Sequence, residues 1–195
     1  MNENDVFVLA DRTLLSVIEQ IRDDQWSMAV PPELSSRTPP VTLREVVGDL
    51  AYDEAWVPDL LAGRTMAEVG EDEYRGDLLG DDPKASFAAL VERACAAASA
   101  LDDLDRVVHC SFGDFSAREY LCQVNSYRGL SAHDLARLIG VDATLPEALV
   151  QGLWDELEPR ADGWREWGVF PPRVEVPDGA SLQDRLLGLT GRRPD

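Results

Sequence analysis

Five times in 195 residues a Ser or Thr stands three positions before an acidic residue at the head of a candidate helix. The pairs are Thr42 with Glu45, Thr65 with Glu68, Ser116 with Glu119, Thr144 with Glu147 and Ser181 with Asp184. In this pattern the hydroxyl accepts from the backbone N–H three residues on. The acid reaches back to the cap's own N–H, so two orphan donors of a helix start are satisfied together. Asp82-Pro83 marks a sixth start, because proline at the first helical position has no N–H to lose. So many starts in one short chain predict an all-α fold.

Apolar spacing supplies the boundaries. Val6, Leu9, Leu14, Val17, Ile18 and Ile21 form a helical stripe in a first segment predicted to end near Asp24. The prolines between Val30 and Val41 break helix, and a second long helix is expected from Thr42 to Leu61, stopped by Gly63. The acidic stretch Gly70 to Asp82 reads as a loop, and a third helix as Pro83 to Leu104. Val107 to Phe112 is a short extended segment ended by Gly113, and a fourth helix runs from Ala117 to Ile139 with Gly140 as its stop. Four long helices predict a four-helix bundle over residues 1–140. Residues 141–195, with shorter helices at 146–158, 159–167 and 181–188, are expected to pack on it as a C-terminal extension within one domain.

Charge narrows the partners. With 18 Lys+Arg against 37 Asp+Glu the net charge is −19, which argues against nucleic acid or an anionic membrane, since both are held by clustered cations. No apolar run approaches the roughly 18 residues of a membrane span, and the first residues lack the pattern of a signal peptide, so a cytoplasmic location is expected. Cys95, Cys110 and Cys122 are odd in number and have no CxxC spacing, so they read as reduced thiols. No Gly-rich phosphate loop, GxSxG or HExxH occurs.

Polar residues interrupt two inward stripes. On the second helix Leu43, Val46, Val47, Leu50, Val57 and Leu61 share a face at 100° per residue; Glu54 falls near its centre, Asp53 near its edge and Asp49 at the boundary. Carboxylates aimed at a core must be paired, hydrogen-bonded or bound to a cation. They therefore either meet a buried Arg, leave the bundle at its end, or line a polar cavity. On the fourth helix Tyr127, Ser131 and Asp134 break a stripe that includes Tyr120, Val124, Leu135 and Leu138. Asp49, Asp53, Glu54, Tyr127, Ser131 and Asp134 are thus the cavity candidates. His133 falls on the opposite side of that helix, and two histidines in all make a His-rich zinc site unfavourable.

The runs Thr42 to Trp56 with Asp59 to Gly63, Arg118 to Leu121, and Ala132 to Gly140 resemble the second- and fourth-helix motifs of the DinB-like superfamily. The closer likeness is to its mycothiol-system branch, related to mycothiol-dependent maleylpyruvate isomerase. Trp154 to Leu157, Gly168 to Phe170 and Leu182 to Gly191 resemble the tail of that branch. The resemblance implies a four-helix bundle with a divalent metal held by histidines of the second and fourth helices. Carried over by position, those ligands fall on Asp49, Tyr127 and Ser131, none of them histidine. Two readings follow. The first is a metal-less protein that binds a small molecule or a thiol cofactor such as mycothiol, or a dimerising interaction protein, a homodimer being compatible with its apolar faces. The second is a thiol-dependent isomerase or transferase acting on a small acid, with the Asp49, Asp53 and Glu54 carboxylates holding a hard divalent metal ion.

Overall fold

The computed structural model describes residues 1–34 and 40–194. It is mostly helical. The long helices are α1 (Glu3–Ile18), α2 (Leu43–Leu61), α4 (Pro83–Ala100) and α5 (Ala117–Ile139), with a single turn, α3 (Met66–Val69), after α2. Residues beyond 140 form α6 (Glu147–Leu157), α7 (Ala161–Glu166) and α8 (Leu182–Leu189). The caps follow the sequence at four of the five signatures. Thr42, Thr65 and Ser116 make complete capping boxes with Glu45, Glu68 and Glu119, and Ser181 accepts from the N–H of Asp184. Asp82 accepts from Ala85 N–H ahead of Pro83, and Gly140 ends α5 at φ 76°, where a side chain would be strained.

Thr144 is the exception. Pro146 occupies the entry to α6, so the helix begins at Glu147 and the Thr144 N–H donates instead to Asp142 Oδ1 at 2.9 Å. The first helix also stops earlier than its stripe suggests, at Ile18. Beyond it the chain makes one 3-10 turn, Asp23–Gln25, which places Gln25 Nε2 on the carbonyl of Ile139 at the end of α5. Similarly, α4 stops at Ala100 because Leu101 turns extended, with its carbonyl taken by Asn4 Nδ2.

The chain is not purely helical. Val107–Cys110 (β1) and Gly113–Ser116 (β2) form an antiparallel hairpin, with Val107 opposite Ser116 and Cys110 opposite Gly113. Gly113, expected to end the extended segment, begins its second strand at φ 144°. The expected break between α1 and α2 is present as a bridge from Ala29 to Thr42 and a 3-10 turn at Pro32–Leu34; residues 35–39 of that connection lie outside the described residues.

Helix α1 packs against α4 and α5, and α4 packs against α2. Phe7, Leu14, Ile18, Leu43, Leu50, Phe87 and Leu121 are fully buried between them. The C-terminal residues close on α1 and α5 through α6, with α8 against α6. Gly129 of α5 allows that closeness, since a Cβ there would lie 2.5 Å from Leu153 Cδ1. Helices α2 and α5 pack on other elements and leave a space between their facing sides. No helix among the described residues is long and apolar enough to cross a membrane.

Candidate functional site

That space is a cleft of about 1360 Å³, larger than the roughly 300–1,000 Å³ of common small-molecule sites. Its long walls are α2 and α5. The hairpin tip at Phe112 closes one end, and the residues around Trp164, Trp167 and Arg192 close the other. Of the six cavity candidates, five line it: Asp49 and Asp53 on α2, and Tyr127, Ser131 and Asp134 on α5. Tyr127, read as an inward position, is 46 % exposed, and Asp53 is exposed too, so these residues stand at the rim of the buried helix faces and not within them.

Glu54 does not line the cleft; it turns inward, is 1 % exposed and takes the alternative of a buried Arg. Its Oε1 accepts from Arg128 Nε at 2.5 Å, and Asp11 Oδ1 of α1 lies 2.7 Å from the same nitrogen. The triad joins α1, α2 and α5 behind the cleft. Phe7 lies against the guanidinium, 5.1 Å from its carbon to the ring centre, a cation–π contact. Burial opposes the charge on Arg128, but Glu54 and Asp11 overcome it and hold its pKa above the ordinary value. Asp11 goes the other way for an acid: burial, then repulsion from Glu54, push it well above the usual carboxylate range against the pull of Arg128. The Asp11 carboxyl is thus easier to protonate than an ordinary one, and Glu54 is the closer partner of the guanidinium.

The cleft's own acids differ in their ties. Asp134 is held by Arg192, whose Nη2 is 2.8 Å from Oδ2. Asp53 has no hydrogen-bond or ion-pair partner among the described residues. It is open to the cleft, yet the surrounding walls raise it to about 6, with Glu54 and Asp49 adding repulsion and Arg128 opposing. Around it stand Tyr52, Trp56, Tyr120 and Tyr127. Desolvation raises Tyr127 to about 12 and keeps it a neutral phenol, although it is 46 % exposed. Trp56 packs edge-on against Tyr52 and Tyr74, and its indole N–H has no acceptor among the described residues.

A metal does not fit this donor set. The three positions the resemblance points to supply one carboxylate, a phenol and an aliphatic hydroxyl, and neither hydroxyl ionises near neutral pH. Glu54 is committed to Arg128, and Asp49 already has a partner of its own. Among the described residues no three His, Cys, Asp or Glu are arranged to hold a metal ion. His133 is buried away from the cleft, with Nδ1 3.0 Å from the carbonyl of Ala143, and His109 meets Asp114 across the hairpin at 2.8 Å. Nor is a reactive thiolate available. Burial raises Cys110, which touches the cleft, to about 11, and Cys95 and Cys122 to about 12.

Sequence reasoning missed Asp11 and Arg128. Asp11 carried a signal, since it stands four residues after Phe7 and seven before Ile18 on the buried face of α1. Arg128 carried less, because it lies between the cleft side of α5 and the side facing α1. Comparison with known proteins finds no family model, no curated protein and no solved structure that matches this chain.

Proposed function

We propose that the chain is a divergent DinB-like four-helix bundle of the mycothiol-related type that binds a small molecule or thiol cofactor between α2 and α5 without a resident metal. The observation that carries this reading is the convergence of Asp49, Tyr127 and Ser131 on one cleft. These are the positions at which the resemblance places the family's ligands, and the cleft persists where histidine has been replaced. Its size suits a thiol cofactor, and Gln123, Tyr127 and Ser131 offer it neutral hydrogen-bonding groups. The poor donor set favours this reading over the metal-dependent isomerase.

The test is thermal shift of tag-free protein with mycothiol, Zn²⁺, Ni²⁺ and Mn²⁺, alongside metal analysis. Binding in the cleft predicts a saturable rise in Tm with mycothiol that disappears in Ser131→Trp, a substitution that fills the space. Stoichiometric metal that is lost on Asp49→Ala would overturn the reading.

A further inference from the structure

We propose that the α2/α5 cleft takes, beside or in place of a thiol cofactor, a small molecule that presents an organic cation on an apolar body to Asp53; the inference rests on that cleft being the ligand site and names the charge of this molecule. Asp53 lines the cleft, reaches solvent there and has no hydrogen-bond or ion-pair partner among the described residues. Aromatic rings attract cations through their faces, and of those lining the cleft about Asp53, Tyr52 and Tyr127 are open to it, with Trp56 and Tyr120 buried beneath them.

The charge balance behind the wall points the same way. Arg128, the buried cation nearest Asp53, is already engaged by Asp11 and Glu54, so it is not free to answer Asp53. An anion entering here would meet carboxylates and no available guanidinium. The arginines that line the cleft belong to its other end, along the last turns of α5 and the tail beside them, where Asp134 holds Arg192. The apolar part of the ligand has surface to match, because Phe112, 67 % exposed at the hairpin tip, and Phe115 beside it extend the aromatic wall. The volume exceeds what a small acid would fill.

Tetraphenylphosphonium and tetraphenylborate have nearly the same shape and opposite charge, so the pair separates charge from fit. Titration calorimetry in 150 mM NaCl is expected to show one saturable phosphonium site, with the borate at least tenfold weaker. Asp53→Asn should weaken the phosphonium at least tenfold, and Asp53→Glu should restore it to within threefold. Asp72→Asn removes an exposed acid outside the cleft and should change nothing, which controls for attraction to the net charge of −19. Equal affinity for the two ions, both blocked by Ser131→Trp, would overturn the cation and leave the cleft as a ligand site. Undiminished phosphonium binding in a folded Asp53→Asn protein would overturn it too. Absence of saturable binding of either ion would also overturn the cation, with the cleft then judged on the mycothiol titration alone.

Discussion

Arg128 Nε lies 2.5 Å from Glu54 Oε1, and each of the two side chains is 1 % exposed. The contact ties α5 to α2 at the back of a cleft that otherwise separates them, so the spacing of the cleft walls depends on it. Arg128→Met would leave Glu54 and Asp11 buried without their cation, and breaking a buried pair from one side destabilises by about 3–5 kcal/mol. Urea denaturation should show that loss. Removing all three charges together, as Asp11→Leu, Glu54→Leu and Arg128→Met, should recover most of it, because an apolar replacement of a buried ionic cluster is often neutral. A triple variant as unstable as Arg128→Met would show that packing, rather than charge, is what Arg128 supplies.

The tail makes a closer approach than its composition suggests. The N–H of Val174 donates to the carbonyl of Gly188 at 2.9 Å, laying the proline-rich strap on α8. A Cβ at Gly188 would stand 2.6 Å from the Val174 carbonyl oxygen, which is backbone and cannot rotate aside. Gly188→Ala is expected to destabilise by about 1–3 kcal/mol, as overpacking does. Hydrogen exchange should show faster exchange at Val174 and across α8, with α1 and α4 unchanged.

Much of this architecture could be read from local chemistry. Caps at Thr42, Thr65, Asp82, Ser116 and Ser181 depend on residues three positions apart, so the sequence contains both partners of each hydrogen bond. Thr144 failed because Pro146 fixes the chain between the two partners, a constraint the spacing rule does not include. For the candidate site, one helical wheel at a time placed Asp49, Asp53, Tyr127, Ser131 and Asp134 on the cleft. It set Glu54 at the centre of the inward stripe and Asp53 at its edge, but could not name the partner of Glu54, because Arg128 lies 74 residues away on another helix. The second strand of the hairpin was missed for a related reason: Gly113 to Ser116 gains strand geometry only by pairing with β1.

Thiol chemistry offers a check on burial. Desolvation raises all three cysteines, with Cys110 the least raised at about 11 and half-exposed beside the cleft. Native protein treated with 5,5′-dithiobis(2-nitrobenzoate) at pH 8 should therefore react slowly, at Cys110 first, whereas all three thiols should titrate at once in 6 M guanidinium chloride. A single fast native thiol absent from Cys110→Ser would show an activated thiolate that burial does not predict. Protection of Cys110 by an S-methylated mycothiol, which carries no thiol to consume the reagent, would place the cofactor at the hairpin end of the cleft.

Glu156 gives the fold a measurable dependence on pH. It lies between α6 and α5, where Asn125 Nδ2 donates to it at 3.0 Å. Burial raises it to about 7; Glu3 and Asp155 add to the rise, and Asn125 and Arg160 oppose it. In the unfolded chain a glutamate titrates near 4.3. Between roughly pH 4.3 and 7 the folded state therefore holds more protons than the unfolded one, so this residue's contribution to stability falls as pH rises through that window. Below the window the two states are protonated alike, and above it the full cost of burying the carboxylate is present. Asp11 and Asp53, also raised, act in the same direction. Glu156→Gln keeps an oxygen to accept from Asn125 and removes the charge. The variant should gain about 3 kcal/mol relative to the wild type between pH 4.5 and pH 8, read as the change in the difference of their urea unfolding free energies. A difference that stays constant across that range would mean Glu156 keeps its charge at no cost, with Arg160 compensating its burial.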